Sequence, residues 1–348
     1  MNTSRRNFLT AASVFATTAW TGINVVRAEH PATTYTPAPS NNEEFEKVRD
    51  LITSPHPEIP ETPAGSGARA SLPIAVSTYS YWGYRPGQQL KMEDCIRLAA
   101  ETGFDAVELL EKQIHRTDTA YLRTLKREAF LHGLSLCGLS THQHFLSPDK
   151  EFREHNVRIT EKSIELAYEL GIPTIRINTG RWQTSRDFNE LMRNKGIEPT
   201  LPGYTEEDAF PWVIEGIEKC IPTAEKCGVV LGLENHWGLG ITAEGVLKIV
   251  DAIHSPWLQV TLDTGNFLEN TYQQIEKLAP RAKFVQAKTY FGGGTWYTLN
   301  LDYARIADIL RKAEYKGFIS LEFEGREPAK TAIPKSLDML RRAFSREA

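Results

Sequence analysis

Four times in this chain an amphipathic stretch ends in a glycine and passes straight into a short apolar run. The joints read AAETGFDAVELL (99–110), AYELGIPTIRI (167–177), AEKCGVVLGLE (224–234) and AEYKGFISLE (313–322). Glycine closes helices because it enters the left-handed region without a Cβ penalty, and the Val/Ile/Leu runs that follow have the length of buried strands. Helix, cap and strand in repetition make βα units and a parallel sheet. Strands are expected at 73–77, 106–109, 135–139, 174–177, 229–233, 259–262, 284–287 and 319–321. Helices are expected at 92–102, 119–132, 156–170, 206–227, 243–253, 272–278, 303–314 and 329–344. Eight units in about 275 residues match an α/β fold of the (β/α)8 TIM-barrel class. A doubly wound open sheet is the alternative, but no strand runs into a Gly-x-Gly-x-x-Gly turn.

The barrel is expected over 72–348, behind two segments of different character. Residues 1–28 pair Arg5-Arg6 with a mild apolar stretch and a small-residue cleavage site after Ala28, the form of a twin-arginine export signal. This predicts an exported, periplasmic protein with no stable membrane insertion once the signal is cleaved. Residues 29–71 are rich in Pro, Thr and Ser and read as an extended lead-in, with one short helix at 43–52. Formal net charge is −4, of which residues 1–28 carry +3, so the remainder carries −7. An acidic surface without a basic stripe is a poor grip for phosphate backbones, and nucleic acid is excluded as a partner. The four cysteines include no C-x-x-C pair and read as small buried hydrophobes.

Barrel enzymes build their sites at the C-terminal ends of the strands. In this chain those ends carry Glu108 and Glu111, Thr141-His-Gln-His144, Asn178, Glu234-Asn-His236, Asp263-Thr-Gly-Asn266, Gln286 with Lys288, and Glu322 with Glu324. Each alone has an ordinary reading. Asp263 or Thr264 suits a helix N-cap, His142 and His144 point to opposite sides of a strand, and Glu108 suits a local ion pair. Together they are harder to set aside, because Glu234, Asp263 and Glu322 would meet on the barrel axis. Unpaired carboxylates there repel one another and lose solvation, so a divalent cation is the natural counter-charge. Oxygen ligands suit Mn²⁺ or Mg²⁺, with Co²⁺ or Zn²⁺ as alternatives.

At LENHWG, LDTGNF, QAKTYFGGG and GFISLEFEG the chain resembles the sugar phosphate isomerase/epimerase family of xylose isomerase-like TIM barrels, over roughly 72–344. The resemblance implies a metal held by Glu234, Asp263, Gln286 and Glu322. Gln286 departs from the family pattern, which has histidine there, and Asn266 falls where a family histidine often touches substrate. The resemblance further implies proton abstraction next to a sugar carbonyl to give an enediolate, with Glu234 and Glu322 as the catalytic pair. Glu108, His144, Asn178, His236, Asn266 and Lys288 are then the expected substrate-binding residues.

A small carbohydrate is the expected partner, and the sequence is open to homo-oligomer formation. Export favours a non-phosphorylated sugar or keto-sugar. Gly292-Gly-Gly294 suits either a phosphate cradle or a close loop approach. Trp182, Trp237 and Trp296 suit either sugar stacking or loop packing. Two rival activities stand beside the isomerase or epimerase. One is a 3-keto-glycoside lyase working by β-elimination with the same metal and base. The other is a sugar-binding protein that has lost its chemistry.

Overall fold

The computed structural model describes residues 71–345; the expected export signal, the expected lead-in up to residue 70 and the short helix expected within it lie outside the described residues. Eight strands, β1 Ile74–Ser77, β2 Ala106–Leu110, β3 Ser135–Ser140, β4 Thr174–Ile177, β5 Val230–Glu234, β6 Leu258–Asp263, β7 Ala282–Thr289 and β8 Ile319–Phe323, pair in sequence order, all parallel. β1 also pairs with β8, so the sheet closes into the expected barrel. The helices are α1 Tyr79–Trp82, α2 Met92–Thr102, α3 Thr119–Leu131, α4 Lys150–Leu170, α5 Phe188–Arg193, α6 Glu206–Cys227, α7 Ala243–Ile253, α8 Thr271–Leu278, α9 Tyr303–Lys312 and α10 Ala329–Phe344. α1 and α5 were not expected.

Three of the four glycine joints behave as read. Gly103, Gly171 and Gly228 cap α2, α4 and α6 in the left-handed region. At the fourth, Glu314 takes the left-handed position and Gly317 serves a different end, since a Cβ there would lie 2.5 Å from the Lys283 carbonyl. α4 begins at Lys150, six residues before the expected start, because Asp149 caps it by accepting from the N–H groups of Glu151 and Phe152.

The main apolar core lies between barrel and helices, and a small cluster of Ala75, Ala106, Cys137 and Phe284 packs inside the barrel. Small residues on three neighbouring strands make room for the Phe284 ring, and a Cβ at Gly138 would lie only 3.2 Å from it. Above this plug the inward positions turn polar. All four cysteines are free, and Cys95, Cys137 and Cys220 are buried. Among the described residues no helix is long and apolar enough to cross a membrane.

Candidate active site

Just above the Phe284 plug, Glu108 on β2 is almost wholly enclosed. Its carboxyl accepts from the Ser140 hydroxyl, from Ser320 Oγ at 2.6 Å and from Gln286 Nε2 at 2.7 Å. Burial raises its pKa, while these donors and Arg176 pull it down. Four strands thus hold one carboxyl as a floor beneath the site, and Glu108 does not line the cavity.

Arg176, in the middle of β4, is the residue that sequence reasoning passed over. Its Nε lies 3.5 Å from Glu234 Oε2 and its Nη1 lies 3.9 Å from Glu322 Oε1. Its Nη2 donates to the Thr141 carbonyl at 3.1 Å and meets His142 Nε2 at 3.2 Å. Nε is buried without a hydrogen bond. Burial works against the guanidinium charge, but Glu234, Glu322 and Glu108 outweigh it and raise the pKa further. The available signal was a lone charge within the apolar run TIRI.

Glu234 is held from both sides. Asn178 Nδ2 donates to its Oε2 at 2.5 Å and Asn266 Nδ2 to its Oε1 at 3.2 Å. Glu322 Oε1 accepts from Gln286 Nε2 at 3.1 Å. Burial first, then Asp263 and Glu108, push the Glu322 carboxyl well above the usual range, against the opposing pull of Lys288 and Arg176.

Lys288 on β7 is buried with its ammonium 2.7 Å from Asn266 Oδ1, 3.2 Å from Glu324 and 3.3 Å from Asp263 Oδ2. Burial opposes its charge, but Asp263 and Glu324 hold its pKa well above normal. Asp263 is nevertheless pushed up to about 7, by burial first and also by Glu234. The two shifts do not mirror each other because Asp263 answers to neighbouring carboxylates as well as to Lys288.

The cavity above these groups has a volume of about 510 Å³, within the range of small-molecule sites. Of the site residues named from the sequence, Glu234, His236, Lys288 and Glu322 line it, joined by Arg176, His142 and Glu324. Its rim carries Tyr79, Tyr84, Phe188, Trp296 and Tyr297. Burial and nearby Arg176 lower the pKa of His236 well below normal; the His142 pKa is lowered in the same direction, but its ring is exposed to solvent. Asp263, Gln286, Asn178 and Asn266 stand behind the lining as supports. His144 is a correction: its ring contacts the Leu146 carbonyl at 3.1 Å and Gln183 at 2.7 Å, and it does not line the cavity. Beyond β3 the chain leaves the ladder, so strand alternation does not carry His144 inward.

LENHWG divides its work. Glu234 and His236 face the cavity, while the Asn235 side chain ties β5 to β6 by accepting from Asp263 N at 2.7 Å and donating to its carbonyl at 2.9 Å. Trp237 is buried against Leu191 and Met192 and also lines the cavity. Trp182 is likewise buried, 6.3 Å edge-on from Trp212, and only Trp296 stands substantially exposed, over Phe188. In the Gly292–Gly294 run, Gly293 N donates to Tyr290 and Gly294 N to Thr298, and Gly294 bridges to Gly325. That run serves close packing of two loops.

The expected metal ligands fail as a set. Glu234 is occupied by two amides and Asp263 Oδ1 by Gly265 N at 2.7 Å, while Asp263 Oδ2 has no hydrogen bond but lies 3.3 Å from the Lys288 ammonium, which already supplies the counter-charge. Gln286 turns its amide N–H groups towards Glu322 and Glu108; the reverse orientation would set its carbonyl against two carboxyls. Its Oε1 is buried and unpartnered, as is Asp263 Oδ2, but the latter faces the Lys288 ammonium at 3.3 Å. Among the described residues no three His, Cys, Asp or Glu side chains are grouped to hold a metal ion. The residues present do not fit a divalent cation, and Arg176 and Lys288 stand among them instead.

A closed parallel barrel with its polar groups gathered at the C-terminal strand ends defines the class of barrel proteins with a site at the mouth. Within that class, a family model described as "Xylose isomerase-like TIM barrel" matches residues 96–343, and the chain belongs to that family. Similar solved structures include a D-psicose 3-epimerase from Clostridium cellulolyticum H10 with D-tagatose, at TM-score 0.62 and 16% identity over 79% of this chain and 100% of that one. The E. coli 3-keto-D-glucoside 4-epimerase YcjR, in its apo form, gives TM-score 0.61 at 16% identity over 78% of this chain and 99% of its own. An L-ribulose 3-epimerase gives 0.61 at 19% identity, over 78% and 95%. At these identities the likeness is one of fold.

Proposed function

We propose that the protein is a sugar epimerase or isomerase acting by proton transfer beside a carbonyl, on a non-phosphorylated keto-sugar. The observation that carries this is one buried cation, Arg176, set against two carboxyls, Glu234 and Glu322, that open on one cavity. One carboxylate removes the proton from the carbon next to the substrate carbonyl, and the electron pair of that C–H bond moves to give an enediolate with charge on the former carbonyl oxygen. The other carboxyl returns a proton to carbon. Burial favours the protonated form of Glu322, which suits it to the returning step. A neutral sugar is supported by the Gly292–Gly294 run, whose Gly293 and Gly294 N–H groups bond within the protein. The named epimerases of like fold agree with this reading.

A second reading, a 3-keto-glycoside lyase, is favoured by the aromatic rim of Tyr84, Phe188 and Trp296, which exceeds what one sugar ring requires. There the carbanion beside the ketone expels the aglycone oxygen, which leaves with a proton. Export through residues 1–28 and a periplasmic place of work belong to the same proposal; processing after Ala28 in cells tests them.

The deciding experiment follows solvent deuterium into ketohexoses and 3-keto-glucosides by NMR, with aglycone release measured alongside. The wild type is expected to incorporate deuterium at the carbon beside the carbonyl, and Glu234→Gln and Glu322→Gln to lose about 10²–10⁴-fold. Release of aglycone without epimer selects the lyase. Tight sugar binding with neither would leave a binding protein.

A further inference from the structure

The resident cations of the barrel mouth sit among the residues that the sequence marked for a metal. Lys288 Nζ donates to Asn266 Oδ1 and lies at ion-pair distance from Glu324 and Asp263 Oδ2, at 3.2 and 3.3 Å. Its charge is spent on holding those groups together. Arg176 is differently placed. Its Nη2 is engaged by Thr141 and His142, but Nε has no hydrogen bond and Nη1 only a 3.9 Å approach to Glu322. The guanidinium lines the cavity between the two carboxyls of the proposed proton transfer. Nη1, an open donor in a rigid plane, suits an oxyanion, and a guanidinium stays charged even when buried.

We propose that Arg176 and Lys288 together do here what a divalent cation would do, so that the site works without a metal. Lys288 neutralises Asp263 and Glu324 and keeps them from collecting a metal ion. Arg176 presents Nη1 to the sugar carbonyl oxygen and stabilises the charge it gains when the neighbouring C–H bond breaks and its proton passes to carboxylate, while the buried Nε faces Glu234. The stabilisation is preorganised, because the arginine is fixed before substrate arrives. Gln286 fits the same arrangement, since its N–H groups brace Glu322 and Glu108. This inference rests on the proposed proton-transfer reading for the role of Arg176, but its metal-free half stands without it.

The test is made on the full-length protein. Metal content is measured by mass spectrometry after purification and again after incubation with Mn²⁺, Co²⁺, Zn²⁺ or Mg²⁺ and gel filtration, with titration calorimetry for each ion. The expected result is no stoichiometric metal, no binding isotherm, an unchanged melting temperature in EDTA, and deuterium exchange that EDTA alters less than about twofold. Arg176→Met is expected to lower kcat about 10²–10³-fold with a smaller change in KM, and Arg176→Lys to recover part of it. One equivalent of metal bound by the wild type and lost in Glu322→Gln overturns the proposal, whether or not the Arg176 variants fold. Absence of both metal and exchange overturns the proton-transfer reading and the role of Arg176 with it, and leaves only the metal-free site standing.

Discussion

Glu108 illustrates how a carboxyl at a strand end can belong to the scaffold. Three side chains from β3, β7 and β8 donate to it, and burial raises its pKa. The folded state therefore binds its proton more tightly than the unfolded chain does. That extra stability is fully present below the ordinary glutamate range and is lost as pH rises through the raised value. Glu108→Gln removes the titration while keeping an acceptor for the serines. Melting temperatures of variant and wild type, followed from pH 4 to pH 8, are expected to shift progressively in favour of the variant; parallel curves would show that Glu108 does not titrate with folding. The site was legible where chemistry and strand parity coincided. Glu234 and Glu322 fall on inward positions at strand ends, as does Lys288 two residues beyond Gln286. Arg176 was not legible because it lies inside a strand, and a charge flanked by isoleucines reads as an exception to a buried run. Gln286 and Asn266 carried part of the answer, since both are amides where the family pattern has imidazole, and both now hold carboxylates.

The elements were legible because helix caps and apolar runs are local, and the closed order of strands follows from their number and parallel direction. Strand ends were read short, at 233, 262, 287 and 321, whereas the ladders run on through Glu234, Asp263, Thr289 and Phe323. Polar residues facing inward end an apolar run without ending hydrogen bonding, and this extension is what aims them at the axis. Beyond β5, Gly238 turns the chain at φ +90°, and a Cβ there would lie 2.0 Å from the Gly180 carbonyl. Gly203 has a similar φ of +87° with open space around it. Ala at either position pays about 1–3 kcal/mol of backbone strain, but only Gly238→Ala adds a backbone clash. Gly238→Ala is expected to melt several degrees below Gly203→Ala, at roughly 2–4 °C per kcal/mol, and to loosen the Asn235 tie between β5 and β6. Equal losses in the two variants would mean that the loop relaxes freely.

At the scale of the molecule, closure decides what can be removed. β1 closes the barrel by pairing with β2 on one side and with β8, the last strand, on the other. Its hold on β8 starts before the strand proper, where the Pro73 carbonyl accepts from Ile319 N at 3.0 Å. Ile74 N donates to Asp105 Oδ2 at 2.7 Å, fixing the approach to β2. A chain begun at Ser71 keeps every one of these contacts, and we expect it to fold by itself and melt within about 2 °C of the full-length protein, as surface changes of under about 0.5 kcal/mol allow. A chain begun at Val76 loses both anchors and half of β1, opening the barrel between β2 and β8. It is expected to lose cooperative unfolding, followed by circular dichroism and by the denaturant dependence of the transition. The comparison places the domain boundary by function as well as stability, because β1 lies two residues before Tyr79 of the cavity rim. If the Ser71 chain fails to fold, residues before it belong to the barrel's stability, and the division at 71/72 is wrong.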